Sequence, residues 1–288
     1  MLQPFRVLTP ATIEQASAEL VRLGERATIY AGGAELILLL RYGMVRPEYL
    51  INIKRINGLS EICWDGRTVQ IGATVTHRRL ETDPLIRERL PLLADAESRI
   101  ANIRVRNQGT LGGNLCFNDP HSDPGTALLV HEAEVILASK DGLRQIPLSD
   151  FLSEMYSTAL EPGELLQKVF VAPLPLEWGA AYLRVHLYQR PTLNVAVATK
   201  LQNGTVEDLR LAVGCVGPKP QRLSELESKI RGEKLDGAKQ IFADSKQYLK
   251  DKLEPVDDLL GSADYKIYMT AVLLSRALSQ ASRSNGKG

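Results

Sequence analysis

Gly109-Thr110-Leu111-Gly112-Gly113-Asn114, with Asp119-Pro120-His121-Ser122-Asp123 close behind it, packs a hydroxyl, a glycine pair, an amide and two carboxylates into one short segment. Those groups suit hydrogen bonding to a phosphate, a ribose and a polar ring edge. The surrounding stretch, 107–124, has little hydrophobic periodicity and reads as one long loop. A second glycine pair lies earlier, in Ala31-Gly32-Gly33-Ala34-Glu35-Leu36, between a predicted strand at 27–31 and a predicted helix at 35–42 that Gly43 stops. At such a strand-to-helix turn, unpaired backbone amides and the positive helix end can hold an anion. Neither motif is the three-glycine fingerprint of a nicotinamide-binding unit, nor a Walker loop. One Gly-Gly pair after a strand is an ordinary turn. Two such turns, each at a lobe edge, can close their amide hydrogens on the diphosphate of a single dinucleotide.

Working outward, Thr9-Pro10 ahead of Ile13, Ala16, Leu20 and Leu23 predicts a capped helix over 12–23, ended by Gly24. A strand at 48–53 completes a small βαβ-like unit. A second lobe begins at about 59 with a hairpin whose strands, near 62–64 and 68–71, flank Asp65-Gly66. Helices follow near 76–82 and 91–101, then a helical piece at 127–130 and strands at 134–139 and 165–171. Pro173-Leu174-Pro175-Leu176 resists both helix and central strand and marks a domain boundary. Beyond it, strands at 182–187, 194–201 and 206–216, with Asn203-Gly204 as a hairpin turn, precede helices. The last helix carries Ile267, Ala271, Leu274 and Leu278 on one face, and its polar tail is expected to fray from Ser282.

A chain of 288 residues with 44% hydrophobic content is long enough for two domains. Lys+Arg 35 against Asp+Glu 34 leaves a net charge of +1, which offers no broad field for nucleic acid or anionic lipid. No apolar run reaches the roughly 18 residues of a membrane span, and the start lacks a leader pattern, so a cytoplasmic protein is expected. Cys63, Cys116 and Cys215 are too scattered for a disulfide framework or a zinc site, and too few to ligate an iron-sulfur cluster alone. No residue set suggests a catalytic dyad.

At this point the chain resembles, from end to end, the FAD-binding medium subunits of the xanthine dehydrogenase and carbon monoxide dehydrogenase family of molybdenum hydroxylases. The carriers are Ala31-Gly32-Gly33 with its helix, Arg46-Pro47-Glu48, Ile71-Gly72-Ala73-Thr74, Arg106-Asn107-Gln108-Gly109-Thr110-Leu111-Gly112-Gly113-Asn114 and Pro162-Gly163-Glu164-Leu165-Leu166. The resemblance implies an α+β chain. A two-lobed FAD-binding domain of the vanillyl-alcohol oxidase (PCMH) type would span 1–175, with lobes at about 1–58 and 59–175. A smaller α+β C-terminal domain, an antiparallel sheet plus helices, would span 176–288. FAD would be the cofactor. Ala31, Gly32, Gly33, Ala34, Glu35 and Leu36 would contact its pyrophosphate. Thr110, Gly112, Gly113 and Asn114 would hold pyrophosphate and ribitol from the other lobe. Ser122 and Asp123 match the family's Ser-Asp pair, Leu166 an apolar position near the flavin, and Arg184 a basic position usually held by Lys that contacts the flavin.

The resemblance also implies partners. A small subunit would carry two [2Fe-2S] clusters and a large one the molybdenum cofactor that hydroxylates substrate with water oxygen, the three forming a heterotrimer that doubles. FAD would take the electrons and pass them to an acceptor. This chain departs from the pattern at Ala34, which offers only its backbone, and at Glu35, whose carboxylate should face away from phosphate. Two other functions fit the same loops: a stand-alone FAD-dependent reductase with the architecture of the enolpyruvoyl reductases, and a nucleotide-binding scaffold without redox work.

Among single side chains, His77 reads as a surface or capping residue at a helix start. His121 is divided between loop structure and cofactor environment. Cys116 reads as a buried core thiol and Tyr188 as core or flavin cover. Arg104 and Arg106, flanking the second motif, are candidates to neutralise pyrophosphate.

Overall fold

The computed structural model describes residues 3–186 and 190–284. In the first lobe, β1 (Arg6–Leu8) and β2 (Ala27–Tyr30) flank β3 (Tyr49–Asn52) in a parallel sheet, with α1 (Ile13–Leu23) and α2 (Leu36–Tyr42) as its crossovers. Helix α1 is capped by Thr12, whose hydroxyl accepts from the Gln15 amide, while the Gln15 side chain accepts from the Ala11 amide. This reciprocal arrangement puts the cap three residues after Thr9, so Pro10 lies outside the helix, contrary to the expected cap. Gly24 at φ +55° ends α1 and Gly43 at φ +70° ends α2, as the glycine stops predict.

The second lobe is an antiparallel sheet ordered β4-β5-β10-β6-β7: β4 (Ile62–Trp64), β5 (Val69–Gly72), β6 (Glu134–Ser139), β7 (Gly142–Pro147) and β10 (Leu165–Val171). In the β4–β5 hairpin the Asp65 carboxylate accepts from the Arg67 and Thr68 amides, and Gly66 takes φ +94°. Between β5 and β6 run α3 (His77–Thr82), α4 (Pro84–Arg89), α5 (Pro91–Ser98), α6 (Ile103–Gln108), α7 (Leu111–Phe117) and α8 (Pro124–Val130). Between β7 and β10 lie the short α9 (Leu148–Phe151) and the β8 (Leu152–Glu154) and β9 (Ser157–Thr158) pair.

Residues 107–124 are therefore not one loop. Asn102 caps α6 and Thr110 caps α7. Each helix is under two full turns, too short to leave a hydrophobic period, so their caps and glycines read as irregular chain.

The C-terminal residues form an antiparallel sheet ordered β11-β12-β13-β14, from β11 (Gly179–His186), β12 (Pro191–Gln202), β13 (Thr205–Gly214) and β14 (Gln221–Arg222). Asn203 and Gly204, at φ +52° and +78°, make the β12–β13 turn. After α10 (Ser224–Ile230), α11 (Leu235–Asp244) and α12 (Lys246–Leu253), the long α13 (Ala263–Ser284) packs along the sheet, running past the predicted fraying point at Ser282. Alternation divides the sheet's two faces. Val195, Val197 and Leu211 share a core with Leu274 and Leu278 of α13, whereas Tyr182, Ala196, Ala198 and Ala212 join the core of the second lobe. Alanines on that face let helices of the second lobe approach closely, α8 against β12 and β13 and α5 against β11. No helix among the described residues is long and apolar enough to cross a membrane.

His131 caps α8 in this shared core, 1% exposed. Its Nδ1–H donates to the Ala172 carbonyl at 2.9 Å, and Nε2 is buried without a partner. Burial pulls its pKa down from 6.5 to about 4, against the Ala172 bond and with help from nearby Arg210. The unfolded chain then binds the extra proton first, so this contribution is complete above pH 6.5 and is lost as pH falls through about 4. Urea unfolding against pH is expected to show a loss of about 3 kcal/mol over that window, from about 1.4 kcal/mol per pKa unit. His131→Asn should flatten it. An unchanged slope in that variant would place the titration elsewhere.

Candidate functional site

The two glycine motifs meet. A Cβ built on Gly32 would lie 2.3 Å from the Gln108 carbonyl oxygen and 3.0 Å from the Gly109 α-carbon, so backbone touches backbone where the lobes join. Gly33 takes φ +80° with the Tyr30 ring against it, and its carbonyl accepts from the Ile37 amide at 3.1 Å, which starts α2. The amides of Gly33, Ala34, Glu35 and Leu36 find no acceptor among the described residues. Four donors are thereby left at one turn, the arrangement that binds an anionic oxygen.

The second turn differs from the expectation of free amides. Leu111 donates to the Val75 carbonyl and Gly112 to the Ala73 carbonyl, both at 2.9 Å. The Gly113 amide donates to Thr110 Oγ1 at 3.1 Å, and that of Asn114 to the Thr110 carbonyl at 2.9 Å. What this turn presents is side-chain chemistry: the Thr110 hydroxyl hydrogen and the Asn114 carboxamide. Its glycines serve contact, since a Cβ at Gly112 would meet the Ala73 backbone at 2.7 Å.

Between the motifs lies a cavity of about 540 Å³, within the roughly 300–1,000 Å³ usual for small-molecule and cofactor sites. Ala31 to Leu36, Thr110, Gly112, Gly113, Asn114, Ser122, Asp123 and Leu166 all line it. Ile29, Leu39, Val105, Leu165 and Leu166 supply apolar wall. Of these, Ile29, Leu39 and Val105 escape a motif-based reading, because each belongs to a regular element and looks like core.

Arg184 is not among the lining residues. Its guanidinium donates to Asp123 Oδ2 at 2.8 Å, and both side chains are buried. Asp123 also accepts from the Tyr182 hydroxyl and, at 3.3 Å, from Asn194 Nδ2. Burial pushes the Asp123 carboxyl up from its ordinary range, against the pull of Arg184, Tyr182 and Asn194. Arg184, expected to contact the flavin directly, thus reaches the cavity wall through its ion pair with Asp123, which does line it.

The other conspicuous side chains also find definite places. His77 is 3% exposed rather than superficial, because Thr76 provides the cap of α3. Its Nδ1 lies 2.7 Å from Glu97 Oε2, and Glu97 is fully buried with Oε1 unpartnered. Burial raises the Glu97 carboxyl, opposed by His77. His121 lines the cavity, with Nδ1 donating to the Pro191 carbonyl at 3.0 Å and Nε2 3.1 Å from Asp258. Cys116 also lines it, its thiol pushed up by burial to about 12.

Arg106 is held by Glu81 and the Ile100 carbonyl, and neither it nor Arg104 lines the cavity. The cation that sequence reading missed is Arg190, which faces Asp119 at 3.0 Å and Glu35 at 3.6 Å across the mouth. No local pattern marks it. Tyr188 lies outside the described residues.

These features fit an FAD. Four unpaired amides suit a diphosphate, the Thr110 hydroxyl and Asn114 amide suit a polyol, and the apolar walls suit a flat fused ring.

Comparison with known proteins agrees. The family described as FAD binding domain in molybdopterin dehydrogenase matches residues 3–175, and that described as CO dehydrogenase flavoprotein C-terminal domain matches 188–281. The carbon monoxide dehydrogenase medium chain of Hydrogenophaga pseudoflava is 34% identical over 285 residues, covering 98% of each chain. The 6-hydroxypseudooxynicotine dehydrogenase complex subunit alpha of Paenarthrobacter nicotinovorans is 31% identical over 280 residues, covering 96% of this chain and 94% of that one. A solved carbon monoxide dehydrogenase structure from Hydrogenophaga pseudoflava, lacking the Mo-pyranopterin moiety, superposes with TM-score 0.93 at 32% identity over 99% of both chains.

Because Gly32 leaves no room for a side chain, Gly32→Ala should separate the motifs by the width of a methyl group. Titration with FAD is expected to show binding weaker by about fivefold to a hundredfold, the scale of a roughly 1–3 kcal/mol overpacking cost. Far-ultraviolet circular dichroism of the apo-protein should stay as in the wild type. Wild-type affinity in this variant would mean that the contact does not shape the site.

Proposed function

We propose, from the premise that this chain belongs to the FAD-binding medium-subunit family of the carbon monoxide and xanthine dehydrogenases, that it works as the electron outlet of a molybdenum hydroxylase. FAD is the cofactor of this subunit. The observation that carries the reading is the single cavity in which both glycine motifs converge on a set of unpaired amides. We place the domain boundary near 173–176, where the second-lobe sheet ends and the C-terminal sheet begins.

A bound flavin supplies the redox chemistry, accepting and releasing electrons one or two at a time. This chain's residues supply binding, orientation and exclusion of water. The amides of Gly33 to Leu36 would hold the diphosphate. Thr110 Oγ and the Asn114 amide would hold the polyol, and Leu165 and Leu166 would supply apolar wall for the ring.

The partners are a small subunit with two [2Fe-2S] clusters, which delivers the electrons, and a large subunit with the molybdenum cofactor, assembled as a dimer of heterotrimers in the cytoplasm. Exposed Tyr42 and Met44, at the end of the helix whose first turn lines the cavity, suit a surface that another subunit covers. The alternative, a reductase that works alone, needs none of these chains.

Native purification separates the two readings. The expected product is a yellow complex in which iron and molybdenum co-purify with this chain and substrate oxidation bleaches the flavin. A flavin-bearing chain that consistently lacks both metals and reduces a substrate unaided would favour the stand-alone reductase. Reconstituted protein without flavin absorbance would count against both.

A further inference from the structure

We propose that Tyr182, Arg184 and Asn194, three residues of the C-terminal sheet that do not line the cavity, set the hydrogen-bonding face that Asn114 turns toward the cofactor, acting through Asp123 and Ser122. The inference rests on the FAD reading above and adds positioning residues to it.

The chain leaves α7 through Asn118, which takes φ +46° and donates its side-chain amide to the Glu154 and Ser157 carbonyls. The turn that follows, 119–123, is bonded chiefly to the C-terminal domain. Asn194 Nδ2 donates to the Ser122 carbonyl at 3.1 Å and to Asp123 Oδ1 at 3.3 Å. Its Oδ1 accepts from the Thr126 hydroxyl at 2.7 Å, which fixes the orientation of the amide. Tyr182 donates to Asp123 Oδ1 and Arg184 to Oδ2, so both carboxylate oxygens are held. Tyr182 and Asn194 are fully buried and Asp123 is 4% exposed. A buried, fully partnered network of this kind has one low-energy arrangement.

That arrangement pins the Ser122 peptide. The Ser122 hydroxyl donates to Asn114 Oδ1 at 2.6 Å. With its oxygen occupied, Asn114 has Nδ2 left, for which no acceptor exists among the described residues, and Asn114 lines the cavity. The site thus receives a donor whose polarity is decided two residue layers away, in a different domain. The second motif needs such a device, because its backbone amides from Leu111 to Asn114 are already bound within the protein.

FAD affinity of the full chain, measured by fluorescence titration, tests the chain of contacts. Ser122→Ala removes one hydroxyl and is expected to weaken binding about fivefold to tenfold, the value of one hydrogen bond. Tyr182→Phe, which keeps the buried ring, should weaken it about threefold. Arg184→Gln should cost about tenfold, and Arg184→Lys should restore binding to within about twofold, because the buried carboxylate again has a cation. Ser122→Ala in an Asn114→Leu background should cost nothing further, since non-additivity marks residues acting through one group. A purely structural role would make the Ser122 and Asn114 losses additive.

If Arg184→Gln does not fold, Tyr182→Phe and the Ser122–Asn114 cycle carry the test. Wild-type affinity in both Ser122→Ala and Tyr182→Phe, or additive losses in the cycle, would overturn the proposal. Wild-type protein that takes up no FAD at all would remove the reading on which it rests.

Discussion

Everything at the site depends on a backbone contact with no side chain in it, Gly32 against Gln108 and Gly109. Two lobes of different architecture, one with a parallel sheet and one antiparallel, present a strand-to-helix turn and a helix-to-helix turn to the same space only because neither turn carries bulk there. A similar economy sits nearby, where a Cβ on Gly72 would meet the Leu59 carbonyl at 2.3 Å. That contact keeps the end of β5 against the chain leaving the first lobe. The glycines of the family motifs are thus spent partly on packing and only partly on ligand approach.

This division gives the two turns different tasks. The first offers unpaired amides, whose oriented dipoles favour an anion without any fixed positive charge. The second spends its amides on its own cap and on the segment that follows β5, and contributes a hydroxyl and a carboxamide instead. Titratable and charged groups sit at the edges: His77 paired with buried Glu97, His121 beside Asp258, and Arg190 spanning the mouth between Glu35 and Asp119. The C-terminal domain consequently belongs to the site. Its strands contribute to the second-lobe core through Tyr182, Ala196, Ala198 and Ala212, and its polar side chains clasp the turn at 119–123.

Much of the fold is legible in the amino-acid sequence where a local rule decides the conformation. Asp65-Gly66 and Asn203-Gly204 announce their hairpins, and Gly24 and Gly43 their helix ends, because backbone sign or cap geometry selects those residues. Short helices with polar caps are not legible. Asn102 and Thr110 each open a helix of fewer than eight residues, and their composition is that of a loop. The lining of the site follows the same line of separation. Both motifs and Leu166 are visible as sequence, whereas the pairing of Arg184 with Asp123 and of His77 with Glu97 joins residues that only tertiary packing brings together. Thr76 rather than His77 caps α3, a distinction of one residue that sends the imidazole inward.

The asymmetry between the two turns is the central claim, and residue-resolved amide hydrogen exchange with and without FAD measures it directly. The account predicts that Gly33, Ala34, Glu35 and Leu36 exchange readily in the apo-protein and gain protection on binding. Leu111, Gly112, Gly113 and Asn114 should be protected beforehand and change little. Protection gained at 111–114 with none at 33–36 would contradict it.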